Sequence, residues 1–549
     1  MKNMRLPLLI CMGVFVFSSC GVKEEDTTAS VDTVITPVSS STSYEGYLQI
    51  SEEEPTTADP QCTSNYYTIP LNIFDTLVKV AVQGDTSELV PSLASSWEIS
   101  EDGLVYTFHL QPGVTFHNGE PLTSSDVRYT LTRMLTHPDS VQQSITEGIV
   151  GADALIAGDT DVLEGFEELS DTDFAVTLKQ PYAVFLACLS TPGASILDET
   201  TTESAGDAFG QDPSRTVGTG PFVFSEWNRN SSIILEADKD CWSGPPACDG
   251  LVLSFVSDPE EERLLFEEKE LDILDLENLG SEAEYFYRGD IYQDNLVQGP
   301  RVGIKYIALN ESIEPLDDVR VRRALQISLD RQAILDAVYS SHGMLENGIF
   351  PHGLMGFNPD LPEIPYDPER AKNLLSEAGY PDGFDLQVLF EESDVSLKIM
   401  KLVSAMWGKI GVRASIETMP EDDFLTLRKA GEVACYISTW SADFNDPDNF
   451  MYTFFGSPEN TRNRSLCYPD KTVMERVAKA RMIVDQEERI SEYQKLEEKI
   501  IQEDAAWIPL FSIMHTFAVQ ERVEGFKVAW NGWSSNCYRD VAVLQAGEE

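Results

Sequence analysis

The chain has no apolar run of the eighteen or more residues that a membrane-spanning helix needs; its one sustained apolar stretch, Leu6 to Phe17, is too short. It also lacks a Walker A loop, an H-E-x-x-H pair, a G-x-S-x-G elbow and any Cys/His cluster with zinc spacing, so the usual signatures of nucleotide, metallopeptidase and serine-hydrolase chemistry are missing. The histidines (His109, His117, His137, His342, His352, His515) are scattered and form no local pair. Positive charge is scarce. Against 92 Asp and Glu there are 39 Lys and Arg, a formal net charge of −53, and such a surface is repelled by nucleic acid and by anionic lipid. Hydrophobic content of 42% is that of an ordinary globular protein, and 549 residues are too many for one core, so two or three domains are expected. No catalytic residue, metal or cofactor is expected. A secreted hydrolase using two of the many carboxylates is the alternative of another class, and nothing in the sequence marks such a pair.

The first residues carry an address. "MKNMR" is a basic n-region, "LPLLICMGVFVF" a short apolar h-region, and "SSC" follows at once, so residues 1–19 read as an export signal. "FSSCG" resembles a bacterial lipobox, with Phe17 where Leu is usual; the resemblance implies lipidation at Cys20, and the alternative is a plain secretory signal with an incidental cysteine. A multiply acylated Cys20 would hold the protein on a membrane surface. Residues 20–44 comprise Cys20 and a flexible tether, of which residues 23–44 are polar and aperiodic and span about 25 Å as a random coil. With Cys11 removed and Cys20 lipidated, seven cysteines remain, so at least one is unpaired. Cys241 and Cys248 flank the turn-forming "WSGPPA", which makes them candidates for a disulfide, with two separately buried thiols as the alternative.

Along the body, "LVYTFHL" places Leu104, Tyr106, Phe108 and Leu110 on one face of a strand, and "SSDVRYTLTRML" places Val127, Leu131, Met134 and Leu135 on one stripe of a helix capped by Thr123 or Ser124. In "YDPERAKNLLSEAGYPDGF" Asp367 is an N-cap, Pro368 opens the helix, Ala371, Leu374, Leu375 and Ala378 form one face, and Gly379 ends it. Asp317 or Asp318 caps another helix and Asp330 the next. Near the C-terminus two helical patterns break at Asp485 and precede a buried strand at Trp507 to Phe511.

The ordered set "P-x-LA-x-SW", "DG-x-x-YTF-x-L", "GV-x-F-x-x-G-x-P", "VGTGPFVFSEW", "ELDIL", "YIALNESIEPLDDVRVRRALQISLDRQAI" and "WSADFNDPDNF" resembles the extracellular solute-binding proteins of family 5, the peptide and nickel class, across about residues 47 to 535. The resemblance implies an α/β, two-lobed type II binding-protein fold with an extra domain inserted in the first lobe. Domain I is expected at 45–74, 205–306 and 516–549, the domain II insertion at 75–204, and domain III, the second lobe, at 307–515. It also implies a monomer that captures a peptide between lobes and passes it to the permease and ATPase subunits of an ABC importer, at the outer face of the cell membrane or in a periplasm. Nickel, haem or an oligosaccharide is the alternative ligand.

"YISTWSADFNDPDNF" concentrates the candidate site residues. As a calcium loop it fails, because Pro447 stands where a third ligand belongs. Asp446 and Asp448, either side of that proline, read as turn residues. Asp443 ends an apolar strand three positions after Trp440, and by resemblance it matches the acid that holds a peptide's α-ammonium, with Trp440, Ser441 and Ala442 lining the adjoining wall. A peptide bound as an added strand would be held largely independently of its side chains. For the ligand carboxylate, Arg301, Lys305, Arg462 and Arg464 are candidates that no motif separates, and surface solvation is their expected state.

Overall fold

The computed structural model describes residues 44–544 apart from 65, 84–85, 289–291, 340–341 and 531–534. The expected export signal, Cys20 and the tether up to residue 43 lie outside the described residues. Among the described residues no helix is long and apolar enough to cross a membrane.

One large sheet runs through the molecule. Its strands are β1 (Tyr47–Glu52), β2 (Phe222–Asn228), β3 (Ser232–Ala237), β4 (Gly250–Phe255), β5 (Ile273–Asp275), β6 (Leu296–Pro300), β7 (Gly303–Leu309), β8 (Gly343–Leu345), β9 (Cys435–Ser441) and β10 (Trp507–Val519). They are ordered β9-β7-β10-β5-β1-β4-β3-β2, with β6 and β8 also paired to β10. β10 thus belongs to both ends of the sheet: Trp507 to Phe511 pair with β7, and Phe517 to Val519 with β5.

Four hydrophobic clusters pack around this frame. One holds residues from Val302 to Phe511, a second those from Leu77 to Ile196, a third gathers Leu48 to Phe74 with Leu197 to Ile273 and Phe517 to Val541, and a small fourth joins Phe266 to Phe286 with Ala518. The fold is the α/β, two-lobed type II arrangement.

Local signals act as the sequence indicates. Tyr106, Phe108 and Leu110 are buried on one face of the strand Val105–Leu110. Thr123 caps the helix Ser124–Thr136, its N–H donating to Asp126 at 2.9 Å, and the stripe Val127, Leu131, Met134, Leu135 is buried. Asp367 accepts from the Arg370 N–H at the start of Pro368–Glu377, and Gly379 leaves that helix at φ +98°, a conformation in which a side chain would be strained. Asp318 and Asp330 cap as expected, and Asp485, where the two helical patterns break, caps the second of them.

Two expectations change. The C-terminal strand does not stop at Phe511 but continues to Val519. Ser512, His515 and Thr516 interrupt the apolar pattern, yet they are buried, and Ser512 bonds Glu346 at 2.7 Å while His515 meets Asp275 at 2.9 Å. Partners more than a hundred residues away make those polar positions compatible with a strand.

Cys241 and Cys248 are not bridged; both are buried free thiols, and so are or remain unpaired the other five described cysteines. The Gly-Pro-Pro turn forms, with the Gly244 N–H bonded to the Cys241 carbonyl at 2.8 Å, but Arg539 braces it by donating to the Ser243 and Gly244 carbonyls. The Cys241 sulfur lies beside Ser243 and the Thr219 carbonyl, whereas that of Cys248 faces the Gly250 carbonyl in the sheet core. Alkylation of the unfolded protein should therefore label these thiols equally with and without prior reduction; a gain of two labels on reduction would restore the bridge.

Candidate functional site

β9 lies at the edge of the sheet and pairs with β7 in the register Ser441↔Gly303, Trp440↔Ile304, Thr439↔Lys305. Period-two alternation puts Trp440 on the same face as Tyr436, and its indole stands edge-on against Phe454, centroids 5.5 Å apart. Beyond Ser441 the chain leaves the ladder. The buried Ala442 gives its N–H to the Val302 carbonyl at 2.8 Å, and the next residue, Asp443, is exposed.

A single buried amide fixes the pair. Asn449 Oδ1 accepts from Trp440 Nε1 at 3.0 Å and from the Asp443 N–H at 3.2 Å, while Asn449 Nδ2 donates to Asp443 Oδ2 at 2.9 Å. The sequence reading missed Asn449. Its only signal was its place at the start of the helix Asp448–Phe455, where an amide side chain can reach back to the preceding loop.

Asp443 is reachable by solvent yet ringed by protein. Partial desolvation raises its carboxyl above the usual range, and the Asn449 bond and the nearby Arg464 charge only partly offset this. Its field also reaches Tyr67, just before the helix Thr68–Ile73. The Tyr67 phenol is pushed up to about 12, chiefly by burial, with a bond from Gln142 opposing and the Asp443 charge adding to the shift. A carboxylate that keeps one oxygen uncommitted, beside an indole and within reach of the buried Tyr67 phenol, is suited to receive a cationic hydrogen-bond donor.

The model of the bacterial extracellular solute-binding proteins, family 5, matches residues 88–462. The chain belongs to that family. It is 30% identical over 541 residues to haem-binding protein A of Haemophilus influenzae, covering 95% of this chain and 96% of that protein. It is also 30% identical over 499 residues to di/tripeptide-binding protein 2 of Pseudomonas aeruginosa, covering 87% and 92%. Among solved structures it resembles a periplasmic binding protein of Helicobacter pylori in complex with the peptide STSA, with TM-score 0.69 and 27% identity over 90% of this chain and 98% of that one.

In this family 5 chain Asp446 accepts from the Asp448 N–H at 2.9 Å, as a turn residue does, but both carboxylates are buried rather than on the surface. Asp446 is 1% exposed and takes both arms of the buried Arg489 guanidinium at 2.7 and 2.5 Å. Asp448 accepts from Tyr493 at 2.7 Å and from Arg481 at 3.1 Å. These bonds tie the loop after Asp443 to the helix Gln486–Glu498 and to Arg481, the residue that ends the helix Lys471–Ala480. Their partners lie 33 to 45 residues along the chain, beyond any local pattern.

The four candidate cations part company. Arg301 pairs with Glu277 at 2.6 Å, and Arg462 is exposed. Lys305 is not solvated: it is 8% exposed, and burial lowers its ammonium to about 8, partly offset by Glu391 and Glu277. Arg464 is not solvated freely either, because its guanidinium carbon lies 4.3 Å over the Trp440 ring.

Proposed function

We propose that this protein is the substrate-binding component of an ABC importer, a monomer that captures peptides between its lobes and delivers them to a membrane permease driven by an ATPase. The observation that carries this is Asp443, an accessible but partly desolvated carboxylate held by Asn449 at the cleft and facing Tyr67. Such a group gains a charge-assisted bond of about 1.5–3 kcal/mol from a peptide α-ammonium. Trp440, Ser441 and Ala442 form the wall beside it. Relatives named for di- and tripeptides support the reading. Haem, named in another relative, is the alternative ligand, and a preset acceptor for a cation favours peptide over it. The role is binding, not catalysis.

The lobes in this reading are domain I (45–74, 205–306 and 516–549) carrying the domain II insertion (75–204), and domain III (307–515). The separate hydrophobic clusters support that division. β10 and the β6–β7 passage connect them, so closure is a hinge motion about residues near 306 and 515. Small-angle scattering should show a smaller radius of gyration on adding saturating peptide, and an unchanged radius would argue against closure.

Lipidation of Cys20 would place this binding protein on the outer face of the cell membrane, its body pivoting on the tether. Cys20→Ser should move it from the membrane fraction to the soluble fraction; an unchanged distribution would remove the anchor from the account.

A further inference from the structure

Phe444 follows the proposed ligand anchor directly, and it packs away from its sequence neighbours. Ala442 and Phe450 belong to the cluster that holds Val302 to Phe511, whereas Phe444 lies against the second cluster, Leu77 to Ile196. Another contact joins the same two parts of the chain. The Ala183 N–H donates to the Arg481 carbonyl at 3.1 Å, and the Arg481 guanidinium lies 4.8 Å from the centre of the Tyr182 ring. Tyr182 is itself fixed, its carbonyl accepting from the Tyr106 hydroxyl at 3.0 Å. Val484 approaches Gly103 so closely that a Cβ there would lie 2.6 Å from its methyl, an approach that a side chain at 103 would obstruct.

Arg481 is aimed before it meets Tyr182. Its Nε donates to Asp448 at 3.1 Å, and its guanidinium lies over the Tyr452 ring at 3.6 Å, both partners being on its own side of the contact. Those two interactions survive if the parts separate; the Ala183 bond, the Tyr182 contact and the seat of Phe444 do not. One hydrogen bond, one cation–π contact and one packed ring are few enough to be made and broken, and small interfaces within a chain permit relative motion.

We propose that Phe444 and Arg481 form a clasp on residues 75–204 that latches the lobes over the ligand, with capture and closure joined through the loop from Asp443 to Asp448. The inference rests on the two-lobe peptide reading above and adds to it the residues that set how long a ligand is held. An ammonium on Asp443 steadies the residue next to Phe444, and Asp448 at the other end of the loop aims Arg481. Contacts made only in the closed form favour that form for any ligand the cleft has taken, whatever its termini.

Stopped-flow release of trialanine and of N-acetyl-trialanine from the full chain tests this. Phe444→Ala should speed release of both peptides by the same factor, at least about tenfold, since the clasp holds the lobes and not the ligand's ammonium. Tyr182→Leu, on the other side of the contact, should give a smaller effect that is again equal for both peptides. Unchanged release in both variants, or an effect confined to the free-amine peptide, would overturn the clasp while leaving the peptide reading intact. Wild type that binds neither peptide would overturn the peptide reading, and small-angle scattering of the ligand-free chain then judges the clasp. A larger radius of gyration in Phe444→Ala/Tyr182→Leu than in wild type, with unchanged urea unfolding, would support it; equal radii would overturn it.

Discussion

Asp443→Asn should weaken peptide binding by roughly one to four orders of magnitude, because removing one partner of a desolvated charged pair costs about 2–5 kcal/mol and 1.4 kcal/mol is a decade. The loss should be specific to the ligand's ammonium. N-acetylated peptide should bind wild type about as weakly as free peptide binds the variant, and combining the two changes should add little, since both delete one interaction. Fully additive losses, or near wild-type affinity for Asp443→Asn, would end the assignment.

The fold should not suffer from that substitution. The Asp443 carboxyl is raised in the folded protein, chiefly by desolvation, so its charged form is less favourable folded than unfolded. By linkage its contribution to stability improves as pH falls through the raised value, and at neutral pH it is a burden. A neutral Asn lifts that burden, so unliganded Asp443→Asn should be as stable as wild type or more so at pH 7, with the difference shrinking in acid. Urea unfolding at two pH values measures this. Weaker binding with undiminished stability is what a ligand anchor predicts and a structural aspartate does not.

The largest stability effect should come from Arg489→Ala. That change leaves Asp446, 1% exposed, as a buried carboxylate without its guanidinium, a situation that costs about 3–5 kcal/mol. Burial by itself would lower the Arg489 pKa, but the charge and hydrogen bonds of Asp446, with Tyr493 and Asp448 nearby, together outweigh it, so Arg489 holds its proton more firmly than usual. Removing both charges in Asp446→Ala/Arg489→Met should cost clearly less than the sum of the single changes, since no orphaned ion remains. Peptide affinity should fall in Arg489→Ala as well, because Asp446 holds the loop that carries Asp443. An Arg489→Ala protein with wild-type unfolding would show that the pair is not stabilising the loop.

What could be read from the sequence was local. Asp367 before Pro368, Gly379 after the last helical turn, and the period-two face of Tyr106, Phe108 and Leu110 act through neighbours within a few residues, so the residues alone fix them. Asp443 and Trp440 could be picked out by their place at a strand end. The amide that holds them was not legible, because Asn449 acts only after the loop has folded back. The turn role of Asp446 was legible, but its burial was not, its arginine being 43 positions away. The Cys241–Cys248 bridge was over-read from a real turn: sequence proximity brings two thiols near each other but does not aim them, and Arg539, nearly 300 residues on, sets how that turn sits.

Native mass spectrometry of the protein, purified gently and then offered a mixture of short peptides, tests the central claim most directly. A population carrying short-peptide masses, lost on denaturation and reduced in Asp443→Asn, is the predicted result. A protein that carries haem, a metal ion or a sugar instead, or that takes up no peptide from the mixture, would contradict it.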